Sequence, residues 1–372
     1  MIDRPAIVIV AYSARALSSS AARAGFAPLA IDVFGDDDTR ETSLACVKLD
    51  GGLGHGFEPG KLARAVQALI DAHGPVGLVY GAGFEHQPEA LAAISGATRV
   101  FGNSAATLSA AKDPLALARV CDANGVRHPR IAFSTPDEPE LWLMKKRGGA
   151  GGAHIAAAHG ASPASPDCYF QRRVAGTSVS ALFLANGKKA EIIGLSMQWT
   201  APAPDSPFRY GGAAGPVEVG QAEAADIARA VGVIASEFSL VGLNSADFLL
   251  SPDGVSLIEI NPRPGATLDV FESDEAPLFA RHLAACEGRL SPMSRGMACK
   301  AAEIVYAPCE LVVRKSVNWP DWAVDRSAPG TRIGAGDPLC TALASGATAD
   351  LARTCARERA KAIIARVREA AH

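Results

Sequence analysis

Short apolar runs alternate with amphipathic segments through the first hundred residues of the chain. The predicted elements are strands at 7–11, 28–33 and 76–80 and helices at 13–25 and 61–73. This alternation predicts an α/β fold in which a parallel sheet carries helices on both faces. Ligands of such sheets bind beyond the carboxyl ends of the strands. Glu85 follows the third strand, which makes it a candidate substrate contact; the alternative is an ordinary acidic residue at the start of a helix.

Beyond the first hundred residues, the sequence predicts one helix from 108 to about 124 and a loop over the Pro- and Gly-rich segment 201–216. An amphipathic segment at 221–238 predicts a second, longer helix.

Two further apolar runs, on either side of the Pro-Asp-Gly triplet at 252–254, predict a β-hairpin. A three-residue loop would pair Ser251 with Val255. Counting back along both strands from that pair places Asp247 opposite Glu259. The pattern therefore predicts two carboxylates side by side on an otherwise apolar hairpin.

Asn261 lies two residues beyond Glu259 on the same predicted strand and shares its face. Two adjacent carboxylates on an apolar sheet repel each other and are costly to bury. Mg²⁺ would relieve both costs, so Asp247, Glu259 and Asn261 are a candidate metal site. The alternative is the polar face of a half-exposed hairpin. The sequence Asn-Pro-Arg-Pro-Gly then ends the strand and delivers Arg263 beside this patch, where it can form a salt bridge or meet a substrate anion.

A lysine followed by glycines forms the other motif with chemical meaning. Lys145 ends an apolar strand-like run, and a flexible segment with four glycines follows it, namely Gly148, Gly149, Gly151 and Gly152. Glycines let backbone N–H groups approach phosphate oxygens, and a lysine neutralises their charge. The lysine precedes the glycines, so this is not a Walker A loop. His154, just beyond, is interpreted as structural.

Composition narrows the class of protein. Hydrophobic residues make up 48% and charged residues 20% of 372, with a net charge of −3. These values are typical of a globular chain and give no indication of a nucleic-acid or membrane partner. The eight cysteines form no Cys-x-x-Cys pair, which favours reduced thiols in a cytoplasmic protein. The early glycine clusters do not match the dinucleotide fingerprint, which argues against NAD binding.

The pattern Asp…Glu-x-Asn-Pro-Arg between Asp247 and Arg263, together with the lysine–glycine segment, resembles the ATP-grasp superfamily. The resemblance implies a Rossmann-like pre-ATP-grasp domain and a two-lobed α+β ATP-grasp domain, followed by a β-rich C-terminal subdomain with a terminal helix. The implied boundaries are 1–104, 105–290 and 291–372, with a small lobe at about 105–170 and a large lobe at about 171–290.

The resemblance also implies roles for individual residues. Asp247, Glu259 and Asn261 would hold Mg²⁺ or Mn²⁺, and Lys112 and Lys145 would bind the phosphates of ATP. The other implied nucleotide contacts are Gly148, Gly149, Gly151, Gly152, Gln171, Arg172 and Val174. The implied catalytic residues are Arg263 and Lys145, and the implied substrate contacts are Glu85, Arg209 and Arg263. Arg172 and Arg173 depart from the hinge of the family, where an acidic residue is common.

The activity implied by the resemblance is ligation of a carboxylate to an amine through an acyl phosphate. The partners are two small molecules, without nucleic acid or membrane, and a homodimer is allowed. Three features are similar to tyramine–glutamate ligases of methanofuran-type cofactor synthesis. They are the Gly-Phe-Glu segment at 83–85, the Gly-Asn pair at 102–103 before the predicted helix that contains Lys112, and the C-terminal tail. The alternatives are a nucleotide-binding protein that has lost turnover and, with less support, a Rossmann-type dehydrogenase.

Overall fold

The computed structural model of the protein describes residues 4–52, 56–159, 167–291 and 298–370. The N-terminal elements are β1 (Ala6–Val10), α1 (Arg15–Arg23), β2 (Ala27–Asp32), α2 (Asp37–Thr42), β3 (Ala45–Lys48), β4 (Gly51–Gly52), β5 (Gly56–Phe57), α3 (Pro59–His73), β6 (Leu78–Tyr80), α4 (Pro88–Ser95) and β7 (Val100–Phe101). The strands of the main sheet pair in parallel in the order β3-β2-β1-β6-β7. The side chains of residues 7–10 in β1 are fully buried, because helices cover both faces. The predicted α/β class is confirmed.

The next part of the chain forms a smaller antiparallel layer. Its elements are α5 (Ala105–Lys112), α6 (Pro114–Ala123), β8 (Ile131–Ala132), a 3₁₀ turn (Pro139–Leu141), β9 (Trp142–Lys146), β10 (Ile155–Ala157) and β11 (Cys168–Arg172). The strands lie in the order β10-β9-β11-β8. Where a single helix was predicted from 108 to 124, Asp113 separates two: its carboxylate accepts a hydrogen bond from the Leu115 amide at 3.1 Å, and Pro114 begins the second helix.

A large antiparallel sheet follows. Its first elements are β12 (Thr177–Asn186), β13 (Ala190–Thr200), β14 (Tyr210–Gly215), α7 (Gln221–Glu237), β15 (Val241–Ser251) and β16 (Gly254–Asn261). The apolar positions of α7 pack on one face of this sheet, against a core that includes Phe183 and Phe248. The helix agrees with the predicted amphipathic segment at 221–238.

The segment 201–216, predicted as a loop, contains the buried strand β14 in the middle of this sheet. The prediction was wrong because its glycines serve close packing instead of turns. A Cβ atom on Gly212 would lie 2.3 Å from the Ala302 carbonyl oxygen and 2.6 Å from the Trp199 ring. Only a glycine permits these neighbours to approach so closely.

The remaining elements are α8 (Leu268–Phe271), α9 (Leu278–Cys286), β17 (Cys299–Tyr306), β18 (Leu311–Val312), β19 (Ala323–Val324), β20 (Arg332–Ile333), β21 (Pro338–Gly346) and α10 (Ala349–Glu369). The full order of the large sheet is β16-β15-β12-β13-β14-β17-β21-β19. The C-terminal strands therefore continue the sheet that β12 to β16 begin. The division into three domains at 104 and 290 stays a prediction.

The hairpin of β15 and β16 has the predicted carboxylate pair but a different turn. Ser251 pairs with Gly254 instead of Val255, so the loop has two residues. A bulge at Ile258 then shifts the register by one and restores Asp247 opposite Glu259. The predicted pair is present, although the loop length on which it was based is wrong.

Candidate functional site

The hairpin brings the predicted metal-site residues together. Asn261 donates from Nδ2 to Oδ2 of Asp247 at 3.1 Å and to Oε1 of Glu259 at 3.2 Å. Its amide nitrogen therefore lies between the two carboxylates. The oxygen and nitrogen of an asparagine amide exchange places by a simple flip, after which all three residues present oxygen atoms. Oxygen ligands are those that Mg²⁺ prefers, so this donor set fits a hard divalent cation.

The two carboxylates have different electrostatic surroundings. Burial raises the pKa of Asp247 to about 6, and the negative charge of Glu259 adds to the effect. Burial acts in the same direction on Glu259, but Lys112 and Lys145 outweigh it and lower the pKa of this carboxyl to about 2. Glu259 is therefore held as an anion, whereas at Asp247 the positive charge of Lys112 does not outweigh burial and the charge of Glu259.

Two lysines reach the acid pair from different elements. Lys112, the last residue of α5, places Nζ 3.4 Å from Oδ1 of Asn261 and 3.9 Å from Oε2 of Glu259. Lys145 comes from β9 and is only 3% exposed, and burial lowers its pKa. Among the described residues none is a hydrogen-bond or ion-pair partner of the Lys145 ammonium group. A buried ammonium group without such a partner strongly attracts an anion that enters the cleft.

The predicted glycine loop lies folded against neighbouring segments. Gly148 has a φ of +68° and is so close to Glu85 that a Cβ atom would lie 2.3 Å from the Glu85 carbonyl oxygen. Gly152 has a φ of +76°, and a Cβ atom there would lie 1.9 Å from the carbonyl oxygen of Phe208. The backbone oxygen of Gly151 accepts a hydrogen bond from Tyr210 at 2.9 Å. These contacts hold the loop over the lysines.

The implied nucleotide contacts Gln171, Arg172 and Val174 differ in whether they line the candidate site. Gln171 is buried, donates to the Ile258 carbonyl oxygen at 3.4 Å and lines a small pocket between the layers. Val174 lines the larger cleft described below. Arg172 lines neither space as far as the described residues define them; its guanidinium lies over the Trp142 ring, 6.0 Å from the centroid. The structure therefore brings two of these three residues to the site.

Arg263 and Glu85, both predicted as substrate contacts, bind each other. Nε of Arg263 donates to Oε1 of Glu85 at 2.6 Å, and both side chains are buried. The other oxygen of Glu85 accepts from the amides of Gly83 and Phe84. Burial opposes the ionisation of Glu85, but Arg263 and Lys112 outweigh it and lower its pKa. The pair links the N-terminal sheet to the end of β16, and Arg263 still lines the cleft.

Arg209, the third predicted substrate contact, is held by three interactions. Its guanidinium donates to the carbonyl oxygens of Ala201 at 2.9 Å and Gly336 at 2.7 Å, and it stacks on Tyr306 at 3.6 Å. It lines the same cleft. Arg209 therefore joins the Phe208 segment to the C-terminal strands at the wall of the cleft.

Two residues that contact or line the candidate site were not predicted as site residues from the sequence. Gln198 donates to Oδ1 of Asp247 at 3.0 Å and fixes the orientation of that carboxylate; no sequence signal distinguishes it from other polar residues on β13. His154, interpreted as structural, lines both the cleft and the small pocket beside Gly149. Burial lowers its pKa to about 4. The position of His154 just after the glycine loop is the feature of the sequence that could have indicated its place in the cleft.

One cleft of about 1660 Å³ is lined by the acid pair, by Lys145 and by three glycines of the loop, Gly149, Gly151 and Gly152. This exceeds the usual volume of a single small-molecule site. The adjoining pocket, lined by Lys112, Gln171 and Ile258, has only about 30 Å³, which is room for one or two water molecules. A purine base therefore enters this pocket only if the glycine loop and the smaller layer move outward.

Comparison with known proteins agrees with this geometry. Residues 111–267 match the family model of the ATP-grasp domain. The chain therefore contains an ATP-grasp domain, and the predicted resemblance is confirmed. No curated protein sequence matches the chain significantly.

Solved structures share the fold over nearly the whole chain. Phosphoribosylamine–glycine ligase from Thermotoga maritima superposes with a TM-score of 0.70 and 15% identity, covering 96% of each chain. L-amino acid ligase from Bacillus licheniformis gives 0.69 and 15%, covering 96% of this chain and 97% of that one. The biotin carboxylase domain of Hydrogenobacter thermophilus 2-oxoglutarate carboxylase, in complex with MgADP and bicarbonate, gives 0.71 and 11%, covering 95% and 89%. At such identities the likeness establishes the fold.

A helix that crosses a bilayer must be both long and predominantly apolar. Within the described ranges, none is both long and apolar enough to cross a membrane.

Proposed function

We propose that the protein is an ADP-forming ligase that joins a carboxylate to an amine, using ATP and Mg²⁺. The observation that carries the proposal is that two groups of opposite charge line one cleft without an ion-pair partner. Within the described residues, neither the Asp247 carboxylate nor the buried Lys145 ammonium group forms an ion pair. ATP complexed with a divalent cation supplies a cation for the carboxylate and an anion for the lysine. The ATP-grasp domain at 111–267 and the ligases that share the fold support this reading.

Each residue of the site would have a distinct part in the reaction. Lys112 and Lys145 would bind phosphate oxygens, and Asp247, Glu259 and Asn261 would hold Mg²⁺ or Mn²⁺. The cation, when bound, neutralises charge on the phosphoryl group that is transferred. Arg263, fixed by Glu85, would direct its guanidinium toward the substrate carboxylate. Catalysis would consist of orientation and charge stabilisation, without a covalent enzyme intermediate.

The glycines and the small pocket would select and enclose the nucleotide. Gly148, Gly149, Gly151 and Gly152 would offer backbone amides to the phosphates when the loop closes. Gln171 and Val174 would line the base, whereas Arg172 would contribute only after a change of position, since it lies over Trp142. The substrate carboxylate and the amine would occupy the remaining volume of the cleft, near Glu85, Arg209 and Arg263.

The proposal is tested by a screen for ADP release over pairs of acids and amines. We expect ADP and phosphate in equal amounts only when an acid and an amine are both present. Glutamate with tyramine enters the screen first, because the specific hypothesis is glutamate ligation of the tyramine–glutamate type in methanofuran-like cofactor synthesis. Nucleotide binding without ADP release from any pair would favour a nucleotide-binding protein that has lost turnover.

The closed position of the glycine loop gives a prediction with a matched control. Gly151 and Gly152 have similar positive φ values, +69° and +76°, so an alanine at either position has similar backbone strain. A Cβ atom meets nothing within 4 Å at Gly151 but lies 1.9 Å from Phe208 at Gly152. We therefore expect Gly152→Ala to release ADP about tenfold or more slowly than Gly151→Ala. An increase of about 1.4 kcal/mol in the activation free energy is enough to lower a rate tenfold. Equal rates in the two variants would show that turnover does not require this loop position.

A further inference from the structure

The N-terminal sheet contributes a buried carboxylate to the cleft that the proposed reaction does not use. Asp36 follows β2, precedes α2 and is 3% exposed. It is at the N-cap position of α2, yet its side chain makes no capping hydrogen bond. Within the described part of the chain, no donor forms a hydrogen bond or ion pair with this carboxyl group. Asp36 nevertheless lines the cleft, so the group is available to a ligand there.

The surroundings of Asp36 are strongly negative. Arg15 is the buried cation nearby, and it is already shared: Nη1 binds Asp269 at 2.5 Å and Nη2 binds Asp325 at 3.0 Å. Asp32 is fully buried on the adjoining strand. Burial raises the pKa of Asp36 to about 8, and the charges of Asp325, Asp32 and Asp38 add to this. A positively charged ligand would remove the penalty for ionising Asp36.

The geometry favours an organic cation over a metal ion. Asp269 and Asp325 direct their oxygens to Arg15, and Asp38 accepts hydrogen bonds from the amides at 325 and 326. Among the residues that the structure describes, no group of three or more acidic, histidine or cysteine side chains converges on a point that could hold a metal. A single available carboxylate suits an ammonium group instead.

The neighbouring wall of the cleft is apolar. Leu17, Tyr12 and Phe34 line the cleft together with Asp36. Tyr12 and Leu17 are largely buried, and the Tyr12 hydroxyl already accepts a hydrogen bond from the Gly56 amide at 3.0 Å. A ligand with an ammonium group and a hydrocarbon body matches a carboxylate beside such a wall.

We propose that Asp36 binds the ammonium group of the acceptor substrate, and that this acceptor is a cationic amine without a neighbouring carboxylate. This inference rests on the proposed function, because it assigns the amine substrate of the same cleft. The carboxylate of an α-amino acid would be brought close to Asp36 and to the neighbouring carboxylates of Asp325, Asp32 and Asp38, whose charge repels it. The N-terminal sheet thus selects amines over amino acids, at the carboxyl ends of its strands, where parallel sheets bind ligands.

Calorimetric binding of two matched ligand pairs, measured without ATP, tests the proposal. Phenethylamine and phenylalanine differ only in the carboxylate, as do putrescine and ornithine. We expect wild-type protein to bind each amine about tenfold or more tightly than its amino acid, given the strength of a charged hydrogen bond. Asp36→Asn should lose that preference while keeping the fold, because it removes a charge that burial disfavours.

Asp37→Asn is the control, since it removes the same charge one residue away, from a side chain that does not line the cleft. It should bind like wild type. Equal affinity of wild type for amines and amino acids, no binding of either amine, or unchanged amine affinity in Asp36→Asn would each overturn the proposal. Amine binding that depends on Asp36 in a protein that releases no ADP would contradict the proposed ligase reaction and leave this subsite intact.

Discussion

Replacement of Glu259 by glutamine should reduce Mg²⁺-dependent ADP release by about a hundredfold or more. Loss of a residue that merely supports a metal ligand commonly costs 10–100-fold, so loss of a ligand itself should cost at least as much. The side chain keeps its shape, and Asn261 can still donate a hydrogen bond to the new amide oxygen. The measurement is the initial rate of ADP release against Mg²⁺ concentration. Wild-type rates at ordinary Mg²⁺ would mean that the acid pair is not the catalytic centre.

Asp247→Asn is the matched control, because it removes the other carboxylate of the same pair. Turnover should fall in both variants, but their stability without ligand should differ in sign. The lowered pKa of Glu259 means that its charge stabilises the folded state above about pH 4, so the glutamine variant should melt at a lower temperature. The raised pKa of Asp247 means that its charge destabilises the fold at neutral pH, so the asparagine variant should melt at the same or a higher temperature. Thermal melts at pH 7.5 without nucleotide compare the two.

Removal of the Glu85 side chain should cost about 3–5 kcal/mol of unfolding free energy, which is typical when a buried ion pair loses one partner. Glu85→Ala leaves the Arg263 guanidinium buried without its carboxylate and two backbone amides without an acceptor. Urea denaturation measures the loss. An unchanged unfolding midpoint would show that the pair does not hold the N-terminal sheet to β16.

The double variant Glu85→Ala with Arg263→Met separates the ion pair from general packing. Without the arginine, no charge is left unpaired in the interior, so the double variant should be more stable than the sum of the two single changes predicts. It should still release no ADP, because the proposed contact with the substrate carboxylate is gone. Strict additivity would indicate that the two side chains act independently.

The sequence predicted the main features of the hairpin because local patterns determine them. Alternating apolar residues on both sides of a turn, and a strand ended by Asn-Pro-Arg-Pro-Gly, were enough to place Asp247 beside Glu259 and Asn261. The bulge at Ile258 was not predictable, since it depends on how β16 packs in the sheet. The difference between the two carboxylates was not predictable either, because Lys112 and Lys145 reach Glu259 from other elements.

Long-range packing explains the remaining differences. Gly211 and Gly212 look like turn residues in the sequence, but in the sheet they make room for Trp199 and Ala302. Glu85 and Arg263, 178 positions apart, were each interpreted as substrate contacts, whereas the fold joins them as a buried pair. Asp36 lies in a run of three aspartates that reads as an acidic turn. That Asp36 has no ion-pair partner among the described residues could not be predicted, because it depends on the pairing of Arg15 with Asp269 and Asp325 in the fold.

In the proposed reaction, a phosphoryl group is transferred to a carboxylate in the cleft lined by Asp247 and Glu259 before an amine attacks. Transfer of ¹⁸O tests it most directly: the carboxylic acid identified by the ADP screen is labelled in both carboxyl oxygens and incubated with ATP, Mg²⁺ and its amine. Because an acyl phosphate keeps one carboxyl oxygen on the departing phosphate, mass spectrometry should find one ¹⁸O atom in each phosphate released and one in the amide. Amide formed together with unlabelled phosphate would contradict the account.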